Sequence, residues 1–468
     1  MLIRSLPIVT EFIDAIDKTL SSIKSSARLS LFQKAGLTII LMGIFVTGQL
    51  NWDAFERSSL KRAKSGNLRC LFYHAKISWE YLLQASIRNI LQHYRLTEGV
   101  LSLDDTDKKR AKKTTKIACA HKIKDKASGG YVNGQTLIFM VLVTSIATFP
   151  VGFRFYQPDI KVSAWRKANK KLKQAGVPAK ERPRRPLCDH HKYPTKQMLA
   201  LDMLREFVAA FPGIKIKSVL ADALYGTGEF MDNASTITGG AQVVSQLRSN
   251  QRVASKNSKA SLNTYFARQA GVERCLVIRG GKEQKVTLLA ARLHVKAHGK
   301  RRFVVALKYE GEEKYRYIVA STLSWRHEDI ARVYTLRWLV EVFIQDWKTH
   351  GGWNKLSKHQ GAEGSTRGVI LSLLCDHLLL LHPEQSARLK NKQPGLPVGC
   401  LIERIKVEAL IDTIHEVVEA EDPFASFETL KSALKDCLPS RDSKKHMIGR
   451  DLGRQKITPS LVAHAQAA

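Results

Sequence analysis

Apolar residues recur three and four positions apart over residues 8–24 and 32–48, and again in "AKISWEYLLQASIRNILQHY" (76–95). This period predicts a helical region over residues 1–95. Between the second and third runs lies a break at "GQLN", where Asn51 offers a helix cap and "WDAFERSSLKRAKSG" runs to a glycine. The period changes at "EGVLSLDDT" (98–106), where Val100, Leu101 and Leu103 make a short β-prone run ending in carboxylates. Strand-like runs follow at 135–148 and 150–158, then a helix over 195–211 and a strand over 214–222. That order predicts a mixed α/β sheet packed against helices. From 239 to 320 the chain reads as β-prone pieces, with "RGGK" and "YEGEEK" marking hairpins. A helix containing "YTLRWLVEVFIQDWK" (334–348) comes next, with Ser324 as its expected cap, and apolar helices joined by "KNKQPGLPVG" complete the pattern.

The resulting division is a helical region at 1–95 and an α/β core at 96–230. A β insertion at 231–320, a second part of the core at 321–365 and a helical C-terminal region at 366–468 follow.

Charge narrows the partner. Lys and Arg outnumber Asp and Glu by 75 to 42, a net charge of +33, which favours a polyanion, and nucleic acid is the usual one. A membrane is the competing polyanion. However, the most apolar run, 36–49, is too short to span and reads as a buried helix. The N-terminal residues lack a cleavage site for a signal peptide. Seven scattered cysteines without a CxxC suit reduced thiols, and together these features point to a cytoplasmic protein. "CDHH" (188–191) has no second ligand pair at zinc spacing. Two stretches concentrate the cations, 107–126 and 161–196, and each reads either as a solvated loop or as a phosphate-handling segment. The helices up to Lys61, Arg62 and Lys64 fit a DNA-reading helix-turn-helix or any small helical bundle.

Three acids carry candidate chemistry. Asp104 stands at the end of the first strand in an Asp-x-Thr pattern, Asp222 ends the fourth strand in "VLADALYG", and Glu341 lies on the later helix. Each alone is an ordinary turn cap or ion-pair partner. If the first and fourth strands are neighbours, the two strand-end carboxylates converge and a helix packed on the sheet brings the third. Oxygen-only ligands select hard cations such as magnesium or manganese, and two such ions form the clamp for in-line attack on a phosphodiester. On one helix, Tyr334, Arg337, Glu341 and Lys348 fall within an arc of roughly 60°. That face is either a solvated ion-pair stripe or a metal ligand flanked by phosphate donors.

With these residues in place, the chain resembles bacterial insertion-sequence transposases of the DDE class with an RNase H-like core. More narrowly it resembles the insertion-sequence-four family, whose signature Tyr-x2-Arg-x3-Glu-x6-Lys is matched by Tyr334, Arg337, Glu341 and Lys348. The Asp-x-Thr at 104–106 and "AD-x-x-YG" at 221–226 match its two Asp motifs, and the resemblance covers roughly residues 98–355. It implies that Asp104, Asp222 and Glu341 hold two magnesium ions, replaceable by manganese, while Tyr334, Arg337 and Lys348 contact DNA phosphates. It further implies cut-and-paste transposition on double-stranded DNA with terminal inverted repeats, by a homodimer, through nicking, hairpin formation and strand transfer. The alternatives are a domesticated transposase kept for DNA binding and an RNase H-like nuclease that never joins strands. The resemblance gives the two basic stretches no fixed role.

Overall fold

The structure, a computed structural model, describes residues 5–59, 63–110, 114, 116–125, 128–255, 258–277, 281–350 and 359–437. Helices α1 (Pro7–Ile23), α2 (Leu31–Thr47), α3 (Trp52–Ser58), α4 (Ser65–His74) and α5 (Trp79–His93) fill the expected helical region. The apolar run at 36–49 lies in α2, a buried helix opened by a Ser30–Gln33 capping box and closed by Gly48 in the left-handed region. Asn51 caps α3 as expected, accepting from the Ala54 N–H at 3.1 Å. The helix stops at Ser58, short of the expected basic segment. Ser58 and Ser59 bond back to the carbonyls of Ala54 and Glu56, and the Glu56 carboxylate accepts the Ser65 N–H that starts α4. Of the three cations expected to end that helix, Lys64 precedes α4, and Lys61 and Arg62 lie outside the described residues.

Strands β1 (Glu98–Lys109), β2 (His121–Lys124), β3 (Tyr131–Val143) and β4 (Thr148–Tyr156) follow. Helix α6 (Ile160–Gln174) occupies the first half of the second basic stretch. Next come α7 (Lys196–Ala210), β5 (Lys215–Ala221), α8 (Gly228–Ile237) and β6 (Gln242–Leu247). β1 runs three residues beyond its expected end, because β3 supplies antiparallel partners as far as Lys109 opposite Gly134. Ladder pairing overrides the polar sequence there, so Asp104 and Asp105 lie inside the strand. β3 is antiparallel to β1 and β4, whereas β5 and β6 run parallel to β1. The spatial order β4–β3–β1–β5–β6 is the mixed sheet that the sequence predicts and the RNase H-like one that the resemblance implies.

The expected β insertion is built from β7 (Arg252–Ser255), β8 (Ser258–Ser261), α9 (Leu262–Phe266), β9 (Val272–Val277), β10 (Glu283–Val295), β11 (Lys300–Tyr309) and β12 (Arg316–Ala320). Its strands continue the same sheet, with β12 seated antiparallel on β6. The helix expected at 334–348 is two helices, α10 (His327–Thr335) and α11 (Trp338–Thr349). α10 begins after Arg326 without a side-chain cap, while Ser324 bonds Thr322 instead.

Helices α12 (Gly361–Leu381), α13 (Pro383–Lys390), α14 (Val398–Val418) and α15 (Pro423–Cys437) make up the described C-terminal region, and residues 438–468 of the expected tail lie outside the described residues. α12 is long and apolar enough to cross a membrane, yet 72% of its apolar window is buried inside the fold. It packs against α5, and Ser86, His377 and the Pro150 carbonyl form a buried chain with contacts of 2.8 and 2.9 Å.

Candidate active site

The last parallel pair of β1 and β5 is Leu103 with Ala221, so Asp104 and Asp222 are the next residues on neighbouring strands. β1 continues there while β5 ends, which opens a gap in the middle of the sheet beside both carboxylates. Successive strand residues point to opposite faces. Asp104 shares a face with its ladder partner Phe139, which packs on Phe343 and Trp347 of α11 with ring centroids 5.3 and 4.8 Å away. Asp105 is turned to the other face and bonds Lys196, the first residue of α7, at 2.6 Å. The register thus brings Asp104, and not Asp105, to the helix that carries Glu341.

α11 lies on the sheet because Val340, Phe343, Ile344 and Trp347 form a buried stripe at helical spacing. The Trp347 indole N–H also bonds Ser372 Oγ at 2.7 Å. Between α10 and α11 the backbone tightens into i→i+3 bonds, Arg337 N–H to Tyr334 O and Val340 N–H to Arg337 O. This break removes Tyr334 from the exposed stripe expected of a continuous helix. Its ring is only 7% exposed and its hydroxyl donates to Gln246 Oε1 of β6 at 3.0 Å. Lys348 is exposed in the last turn of α11.

Arg337 sits at the junction and joins two of the acids. One guanidinium nitrogen lies 3.3 Å from Asp104 Oδ2, and the other bonds Glu341 Oε1. Asp222 accepts the Leu224 N–H at 2.9 Å, and its carbonyl accepts the Ser245 hydroxyl at 2.6 Å. These groups line an open cleft of about 730 Å³ whose walls include Asp104, Asp222, Gln246, Arg337, Glu341 and Lys348. In the "AD-x-x-YG" motif, Tyr225 is fully buried, and Gly226 is packed so closely on β6 that a Cβ there falls 2.4 Å from the Gln246 carbonyl.

Burial pushes the Asp104 carboxyl up to about 7, with the Asp222 and Asp105 charges adding to the rise and the Asp105 N–H and Arg337 opposing it. Asp222 is raised for the same first reason, burial, and then by Asp105. Burial thus disfavours the charged form of both carboxyls unless a cation is held against them. Its donors are oxygens only, which fits a hard divalent cation. Among the described residues no three Asp, Glu, His or Cys side chains are grouped as a metal site, and Arg337 bridges Asp104 and Glu341.

Of the residues singled out in the sequence, Asp104, Asp222, Arg337, Glu341 and Lys348 line one cleft, and Tyr334 does not. Sequence reasoning did not find Gln246 or Lys196, because each is tied to the site by a contact 88 or 91 residues away in sequence. A family model described as DDE superfamily endonuclease matches residues 50–304, more than half of the chain. The matched span contains Asp104 and Asp222 and ends ahead of Glu341. No curated protein matches the chain.

Proposed function

Because the chain belongs to the DDE superfamily endonucleases, whose substrate is DNA, we propose that it is a cut-and-paste transposase of the insertion-sequence-four type. The observation that carries this reading is the meeting of Asp104 and Asp222 on adjacent strands with Glu341 facing them across Arg337. Asp104, Asp222 and Glu341 would hold the divalent ions, two magnesium or manganese ions in the family's manner. Such ions, when bound, activate the attacking oxygen and stabilise the leaving one.

The chain's own residues supply orientation. Arg337 offers a planar fork that suits a phosphate as well as it suits the two carboxylates it now bridges. When a DNA phosphate takes that fork, Asp104 and Glu341 are released as ligands. Lys348 adds a point charge along the same wall. Tyr334, whose hydroxyl is engaged by Gln246, supports the α10–α11 junction and thereby the direction of the Arg337 fork. DNA ends with inverted repeats, a target duplex and a second copy of the chain in the synaptic assembly complete the reading.

The test is incubation of the purified protein with an end-bearing plasmid and magnesium, scoring breaks and joined products. Asp104→Asn, Asp222→Asn and Glu341→Gln are each expected to abolish both products while DNA binding persists. Near-normal cleavage by any one variant removes that residue from the ligand set. Breaks without joined products would leave a nuclease and discard the transposase.

A further inference from the structure

The two basic stretches, far apart in sequence, meet at one aromatic ring. Lys196 Nζ lies 5.3 Å from the Tyr156 ring centroid, and the His121 ring packs edge-on against the same ring at 5.9 Å. Lys196 also bonds Asp105, which lines the carboxylate cleft. Tyr156 closes β4, just before the second stretch begins, and His121 opens β2 within the first. The second stretch is thus tied to the cleft through Lys196 and Asp105, and the first meets it at the Tyr156 ring.

The segment between β4 and α7 is a built arm. Asp159, only 7% exposed, accepts the N–H groups of Lys161 and Val162 that open α6, at 2.7 and 3.1 Å. Its second oxygen accepts the Asp189 N–H at 3.2 Å, so one carboxylate clamps the start and the return of the excursion. The returning segment, which has no regular structure, is tied to the apolar side of α6 and to its last turn. Trp165 donates its indole N–H to the Pro183 carbonyl at 2.7 Å, and the Val177 N–H bonds the Leu172 carbonyl at 3.0 Å.

The other side of α6 presents Arg166, Lys167, Lys170, Lys171 and Lys173 within an arc of roughly 160° along a helix about 22 Å long. Among the described residues none of these five enters an ion pair, nor do Lys122 and Lys124 of β2. Cations on other helices do pair, as Lys406 does with Glu403 and Lys431 with Glu428. A row of exposed, mutually repelling cations along one helix complements a polyanion with evenly spaced charges.

We infer that α6 and the β2 edge form a second phosphate-gripping surface, continuous with the cleft, that holds duplex DNA beside the bond being cut. This rests on the reading of the chain as a DNA endonuclease and adds to it a surface outside the carboxylate site. The cleft cations hold the reacting phosphate, whereas the arm supplies sequence-independent hold on the flanking duplex.

The probe is a fluorescent mixed-sequence duplex about three helical turns (about 30 bp) long, titrated with the full chain over a series of salt concentrations. Lys167→Gln/Lys170→Gln/Lys171→Gln should lower the slope of log K against log salt by about 2.7, at about 0.9 for each phosphate no longer neutralised. Lys122→Gln/Lys124→Gln, on the β2 edge and outside the helix, should lower it by about 1.8 and keeps the test open if the helix variant fails to fold. Lys406→Gln/Lys431→Gln/Lys435→Gln, on α14 and α15, should leave the slope unchanged. An unchanged slope in folded α6 or β2 variants overturns the inference, as does an equal fall in the α14/α15 control. Absence of duplex binding by the unmodified chain defeats the endonuclease reading itself, so the two failures are distinguishable.

Discussion

At the scale of single residues, Asp104 couples the charge of the cleft to the stability of the fold. Its carboxyl titrates near 7 in the folded protein, against an ordinary value of 3.8. A carboxyl with the higher pKa when folded binds more protons in the native state, so its contribution to stability is lost as pH rises from about 4 through 7. Without divalent cation, the melting temperature of the unmodified chain should therefore fall more steeply across that window than that of Asp104→Asn. Magnesium should restore it at pH 8 in the unmodified chain only. Equal pH profiles for the two proteins would show that Asp104 is not the strained group. Arg337 is the companion case. The Tyr-x2-Arg-x3-Glu-x6-Lys spacing made the Arg337–Glu341 pair legible, since i and i+4 are neighbours on any helix. The reach from Arg337 to Asp104 was not legible, because it crosses 233 residues. An ammonium is a point charge and lacks the planar fork that grips a phosphate in two places. Arg337→Lys should fold and bind magnesium normally yet cleave DNA ends roughly 10–100-fold more slowly, the worth of one charge-assisted bond of about 1.5–3 kcal/mol. Full activity in that variant would return Arg337 to a plain ion pair.

At the scale of elements, alternation and helical period revealed β1, β3, β4, β5 and α7 but misjudged where polar segments would order. β1 outruns its apolar residues because a neighbour pairs with it, and α6 forms in a stretch whose charge alone suggested a solvated loop. The 334–348 stretch kept a helical period through the junction at Leu336 and Arg337, so the break could not be read from spacing. What holds that junction is β6, through Gln246, and β6 in turn is held against the motif loop at Gly226. Any side chain at 226 meets backbone, which cannot rotate away. Gly226→Ala should destabilise the protein by about 1–3 kcal/mol and also reduce cleavage, because the displaced Gln246 carries the Tyr334 anchor with it. Gly213→Ala is the control, since a Cβ there meets nothing within 4 Å. Its melting temperature should stay close to that of the parent. Comparable losses in both variants would mean that contact at Gly226 is not the cause.

At the scale of the whole molecule, the sequence suggested regions that could be named separately, and the packing joins them. The helices before β1 and those after α11 are distant in sequence, yet α5 lies along α12. Tyr94 donates to the Leu380 carbonyl at 2.6 Å, and Arg367 donates to the carbonyls of Phe72 and Tyr73 at 2.8 and 3.0 Å. Such contacts were invisible to a reading by local period, which assigns elements and leaves their partners open. α12 is the critical piece, because its apolar length is matched by burial under the N-terminal helices and β4. Removing residues 1–95 would strip α5 from it and leave Ser86 absent from the buried His377 chain. An apolar face of that length left in water drives association. A chain of residues 96–437 should therefore express as aggregate and show no cooperative melt, even though it retains every carboxylate of the cleft. Adding residues 1–95 in trans from a second chain should recover part of the soluble fraction. A monomeric, cooperatively melting 96–437 chain would show instead that the α/β core folds alone and that the helical layer is an accessory to it.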